Sequence, residues 1–213
     1  PTHRSSIPCL VSGEPSPSRD VVTMARSTMP LVLLNEIALV SAQVASVTGR
    51  RAKIAQIAGL LRRAVADEVP LAVAFLSGEL RQRQIGVGYA ALGDLLGGRG
   101  ATAGTVAEAP PPAAEPTLTI AAADEVFAAI GGVSGAGAQA ERRRLLAGLL
   151  ARATEGEREF LVQLLAGELR QGALEGVMVE AVAQAAGVPA AEVRRALMLG
   201  GSLPAVASGS AQR

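Results

Sequence analysis

Gly59-Leu60-Leu61-Arg62-Arg63-Ala64 recurs as Gly148-Leu149-Leu150-Ala151-Arg152-Ala153, and this repetition is the strongest signal in the chain. A second stretch, Gly78-Glu79-Leu80-Arg81-Gln82, recurs as Gly167-Glu168-Leu169-Arg170-Gln171. The spacing is 89 residues in both cases, 148 against 59 and 167 against 78. Two matches in one register imply a duplicated helix-pair unit. Two such units are expected to pack about a pseudo-two-fold axis, each presenting a Gly-Glu-Leu-Arg-Gln corner.

Around these repeats the hydrophobic spacing is helical. Residues 33–48 read as a first helix. Ile54, Ile57, Leu60, Leu61 and Ala64 form one stripe at helical spacing. Pro70 suits a first turn and opens a helix to about Leu80. A Gly-containing turn, Ile85-Gly86-Val87-Gly88, leads to a short helix ending near Leu96. Residues 97–116 are rich in Gly, Ala and Pro and read as a flexible linker. Leu118 to Ile120 is briefly extended, and 124–130 form a short helix. GGVSGAG, 131–137, is a second turn. Leu145, Leu146, Leu149 and Leu150 give one stripe, and Phe160, Leu161, Leu164 and Leu165 another, with Thr154 as an N-cap between them. Helices over 175–186 and 189–199 are separated by Gly187. The expected organisation is an N-terminal extension, 1–30, without order; a helical domain, 31–208, with halves 33–96 and 117–208; and a tail, 209–213.

Composition agrees with an all-α helical bundle. Trp is absent, and three Phe and one Tyr leave the core to Leu, Ile, Val and Ala. Such residues suit closely packed helices better than a β-sandwich. With one Cys and one His, His/Cys zinc clusters are excluded. No internal disulfide can form, and no apolar run is long enough to span a bilayer, so a cytoplasmic protein without membrane contact is expected. The formal charge of +1 argues against a broadly basic nucleic-acid binder. The cations nevertheless cluster, as Arg50, Arg51 and Lys53, as Arg62 and Arg63, as Arg142 to Arg144, and as Arg194 and Arg195.

The order of motifs resembles the N-terminal DNA-binding domain of ATP-dependent DNA ligases, in particular bacterial enzymes with the archaeal and eukaryotic domain order. The residues that carry the likeness are Thr48-Gly49-Arg50-Arg51-Ala52-Lys53, Gly78-Glu79-Leu80, Ile85-Gly86-Val87-Gly88, Gly167-Glu168-Leu169-Arg170-Gln171-Gly172, Val193-Arg194-Arg195-Ala196 and Gly200-Gly201-Ser202-Leu203. The resemblance implies an all-helical fold with internal pseudo-symmetry. It implies sequence-independent contact with the minor groove and sugar–phosphate backbone of nicked duplex DNA, in repair, replication and recombination. Carried over by position, Gly167, Arg170 and Gly172 form one phosphate-contacting turn, and Gly86 and Gly88 its counterpart. Arg50, Arg51 and Lys53 add backbone contacts.

Ligases of this type attack ATP with the Lys of a Lys-x-Asp-Gly motif. Lys53 is the only Lys here, and Ile54-Ala55-Gln56 follows it. No catalytic residue is therefore assigned, and the chain should not ligate alone. ATP and Mg2+ are expected only in a catalytic domain acting in cis in a full-length enzyme. Two other readings compete. Residues 182–195 resemble a helix-turn-helix, which would make a sequence-specific regulator with Arg194 and Arg195 on its recognition helix. A helical interaction scaffold would show no salt-sensitive DNA affinity.

Overall fold

The structure is a computed structural model that describes residues 31–82, 85–86, 92, 111–169, 174–200 and 202–211. Among the described residues there are nine α-helices and no strand. They are α1 (Leu34–Ser46), α2 (Arg50–Arg63), α3 (Val69–Leu76), α4 (Ile120–Gly132), α5 (Ala138–Arg152), α6 (Glu155–Ala166), α7 (Leu174–Ala186), α8 (Ala190–Gly200) and α9 (Leu203–Ala211). None is long and apolar enough to cross a membrane.

The duplication seen in the sequence is a duplication of three helices, α1–α3 and α4–α6. The buried stripe of α2, Ile57, Leu60 and Leu61, maps by the 89-residue shift onto Leu146, Leu149 and Leu150 of α5, and all six are at most 3% exposed. Before α1 and α4 the shift falls to 86 residues, because the α4–α5 connection is longer than the α1–α2 connection.

The two copies are locked reciprocally. Leu34 N–H donates to Leu118 O at 2.7 Å, and Ile120 N–H donates to Val32 O at 3.1 Å. Each residue of one bond is the repeat counterpart of a residue of the other, so an approximate two-fold axis passes through the Leu33–Thr119 antiparallel bridge. Helix packing obeys the same exchange: α1 packs on α6 and α3 packs on α4. Phe75 of α3 and Phe127 of α4 meet edge to face with ring centroids 6.0 Å apart.

Helix α3 is apolar on nearly all sides, and only Pro70 among its eight residues escapes full burial. Such a helix belongs at the centre of a bundle. Burying each of its large side chains stabilises the fold by about 1.5–3 kcal/mol relative to exposure. It ends at Leu76, four residues before the sequence pattern suggested. Gly78 adopts φ +73°, and Glu79 N–H turns back to Ala74 O at 2.9 Å, which closes the helix in a Schellman motif. Helix α4 is longer than the 124–130 reading. Thr119 caps it by accepting from Ala122 N–H at 3.1 Å, and the turn from Ile120 joins its buried face. Thr154 precedes α6 as expected. Its N–H and hydroxyl both donate to Glu157, at 2.8 and 2.9 Å, the acid three residues on at capping-box spacing.

The described end of the Pro-rich connection, 111–116, is held. Arg158, buried in α6, donates to Pro111 O and Leu150 O, both at 2.8 Å, and Ala113 N–H donates to Ala153 O at 3.0 Å. Helix α9 carries residues 209–211, assigned above to a tail. Leu203, Val206 and Ala207 bury one stripe of it against α3, so order continues past 208. The 1–30 extension, most of the short helix before Leu96 and residues 97–110 lie outside the described residues.

Candidate nucleic-acid interface

The repeated corners fold alike. Gly167 takes φ +69°, and Glu168 N–H donates to Gln163 O at 2.9 Å, the counterpart of the Glu79–Ala74 bond. Both corners are thus Schellman turns in which glycine supplies the left-handed backbone. They abut: a Cβ on Gly78 would stand 3.2 Å from the Cβ of Leu169. Interdigitation across the two-fold axis, which spacing along the chain does not encode, brings them together.

The first corner engages its Arg and Gln with an acid of the other half. Arg81 is ion-paired with Asp124 at 2.9 Å, and Gln82 Nε2 donates to the same carboxylate at 3.0 Å. Asp124 is buried on α4, so these bonds fasten the corner to the other half. The groove beside it is lined by Asp67, Glu79, Glu125 and Glu175. A phosphate backbone is repelled from such a wall. In the second corner Glu168 is exposed and Leu169 is buried. Arg170, Gly172 and the Gly88 of the other turn lie outside the described residues.

The cationic start of α2 is different. Gly49 is its N-cap, Arg50 and Arg51 are exposed and Lys53 is half-buried. The first turn holds no acidic residue. A helix N-terminus is the positive end of the macrodipole, where cations cost about 0.3–1 kcal/mol each and anions are favoured. Cations gathered at that end work against helix stability and favour a negatively charged ligand. Arg51 and Lys53 have no partner among the described residues. Arg50 donates to Glu180 of α7 at 2.9 Å, and Arg194 of α8 reaches the same oxygen at 3.4 Å. The Arg50 hydrogen bond holds the Glu180 carboxyl below the usual carboxylate range, and the charges of Arg50 and Arg194 add to it.

Each half also lays a guanidinium on a glycine of the other. A Cβ on Gly176 would stand 3.2 Å from Arg50 Nη2, and one on Gly86 would stand 3.0 Å from Arg142 Nη1. Gly86 has φ +66°, a conformation glycine adopts freely. Arg142 is anchored by donating to Val133 O at 2.6 Å and Ile130 O at 3.4 Å, carbonyls at the C-terminal end of α4. Of the predicted residues, Arg50, Arg51, Lys53 and Gly86 therefore lie in described, cation-bearing turns, whereas Gly167 serves a corner. Arg142 and Glu180 carry no assignment from the sequence. The 89-residue shift aligns Arg142 with Lys53 and was the available signal for the first. Nothing marked the second.

Lys53 stands in the first turn of α2 with Ile54 buried behind it, and no Lys-x-Asp-Gly follows. These residues do not fit an ATP-adenylating centre. The helix–Gly187–helix segment does form, with Gly187 at φ +69°. However, α7 packs chiefly on α2, and Arg194 is turned toward Glu180.

Comparison with known proteins agrees with this architecture. Residues 34–183 match the family model described as DNA ligase N terminus. The chain is 54% identical over 186 residues to a probable DNA ligase of Mycobacterium avium (strain 104), covering 86% of this chain and 33% of that protein. A probable DNA ligase of Mycolicibacterium paratuberculosis (strain ATCC BAA-968 / K-10) is 53% identical over 186 residues, covering 86% of this chain and 33% of that protein. One of Mycolicibacterium gilvum (strain PYR-GCK) is 54% identical over 177, covering 83% and 32%. The chain thus spans about a third of the length of these relatives. A duplicated three-helix unit matched over most of its length by one family model places the chain in the DNA ligase N terminus family.

Proposed function

We propose that this chain grips nicked duplex DNA through the minor groove and the sugar–phosphate backbone, without sequence preference, as the DNA-binding region of an ATP-dependent DNA ligase. ATP and Mg2+ chemistry then belongs to a catalytic region acting in cis, and the setting is cytoplasmic DNA repair, replication and recombination. The observation that carries this reading is the crossed pair of cationic turns. Arg50 stands against Gly176 and Arg142 against Gly86, so each half brings one guanidinium to a glycine of the other. The backbone of a duplex has two-fold symmetry of its own, and a nick leaves two flanks to hold. Glycine allows close backbone approach, and the cations supply affinity that carries no base information. Arg51 and Lys53 extend the surface. Arg170, Gly172 and Gly88 join it by their place in the motifs.

Fluorescence anisotropy with two nicked duplexes of unrelated sequence tests the proposal. Comparable affinities that fall with added salt are expected. Preference for one sequence, or no affinity at low salt, contradicts it.

A further inference from the structure

One carboxylate stands against the cationic surface. Glu180 projects from α7 between Arg50 of α2 and Arg194 of α8, with one oxygen 2.9 Å and 3.4 Å from their nitrogens. The two arginine side chains are 54% and 51% exposed, so both present donors to solvent while sharing this anion. Arg50 is also the guanidinium that lies on Gly176. A phosphate arriving here meets cations that already have a partner. It must displace the carboxylate or approach it closely, and either costs part of the gain from neutralising the phosphate. A formal charge of only +1 makes a single negative side chain at this place a large fraction of the balance.

We infer that Glu180 is an affinity-limiting residue of the DNA surface: it restrains Arg50 and Arg194 in the free protein and so keeps the grip on duplex DNA weak and reversible. Arg194 thereby belongs to the phosphate-facing set, although its helix lies beyond the stretch that the family model matches. This rests on the proposed DNA-binding role and adds its restraint. A ligase region that must leave intact duplex gains from such a restraint, because cationic contacts act on nicked and intact DNA alike.

The test uses the whole chain and its Glu180→Gln variant, with nicked and intact duplex, over a range of salt. About three- to tenfold tighter binding by the variant to both duplexes is expected. The log K against log[salt] slope should be steeper by about one, the change for one more phosphate neutralised. Glu180→Asp should bind like the wild type, and Arg194→Ala in the Glu180→Gln background should return the slope toward it. Glu180→Ser serves as a second neutral variant if Gln disturbs the α2–α7 seam. Unchanged or weaker binding by folded neutral variants overturns the inference and leaves the DNA reading standing. A wild-type chain that binds neither duplex at any salt overturns both.

Discussion

Gly78 lies against Leu169, close enough that a β-carbon on the glycine would stand 3.2 Å from that of the leucine. Leu169 belongs to the second copy of the corner that Gly78 begins in the first. The contact therefore joins the two copies where each turns out of its third helix, and Gly78 is constrained twice, by its positive φ and by its neighbour. Gly78→Ala is expected to destabilise the fold by about 1–2 kcal/mol, the cost of a left-handed conformation for an L-residue. Gly148 makes the control. It sits inside α5, and a β-carbon added there would meet nothing within 4 Å, so Gly148→Ala should stabilise by about 0.5–1 kcal/mol. Urea denaturation of the two variants measures both signs.

Arg158 fastens the Pro-rich connection to the second half. In Arg158→Ala both acceptors, Pro111 O and Leu150 O, lose this donor, though Leu150 O keeps Ala153 N–H at 3.2 Å and Pro111 is exposed. Losing hydrogen bonds from a charged group costs about 1.5–3 kcal/mol, and a loss in that range is expected. Hydrogen exchange should also quicken at Ala113, whose N–H is bonded beside this clamp.

Arg51 and Lys53 separate binding from stability. Both sit at the positive end of α2 without a partner among the described residues. Arg51→Ala should weaken DNA binding by about 1–2 kcal/mol. The same change should leave Tm unchanged or slightly raised, because it removes a cation from the helix N-terminus. An ordinary solvated arginine gives no change in affinity, so paired anisotropy and melting curves decide.

The Glu180 carboxyl is held low by Arg50 and then by Arg194, and that of Glu141 by Arg144. The sign follows from the direction. A carboxyl whose folded pKa lies below its unfolded value adds stability above the unfolded pKa and loses it as pH falls through the folded one. The α2–α7–α8 link through Arg50, Glu180 and Arg194 should thus persist at neutral pH and open only on acidification below the usual carboxylate range. Carboxyl-carbon NMR titration should report midpoints below that range for Glu180 and Glu141, and the Glu180 midpoint should rise in Arg50→Ala.

The repeat was legible in the sequence because helix faces repeat residue for residue, and Ile57, Leu60 and Leu61 return as Leu146, Leu149 and Leu150. The all-α class followed from the same spacing. Helix ends were harder. The pattern ran α3 on to Leu80 because a Schellman turn keeps helical spacing just past the last bonded residue. Helix α9 was not legible because Leu203 to Ala211 is short, uncharged and rich in small residues. The meeting of the corners, the capture of Arg81 by Asp124 and the sharing of Glu180 depend on packing between distant elements. Each partner is a single acid or leucine that carries no local signal. The cationic start of α2 was legible because three cations fall within four residues, 50–53.

Two related helical units, one on each flank of a nick, are proposed to hold a duplex together. Hydroxyl-radical footprinting of the chain on a centrally nicked duplex reads this pairing out at the sugars themselves. Protection is expected on both sides of the nick, offset across the minor groove, and lost on both sides as salt rises. Protection confined to one flank, or to one chosen sequence wherever the nick is placed, would contradict it.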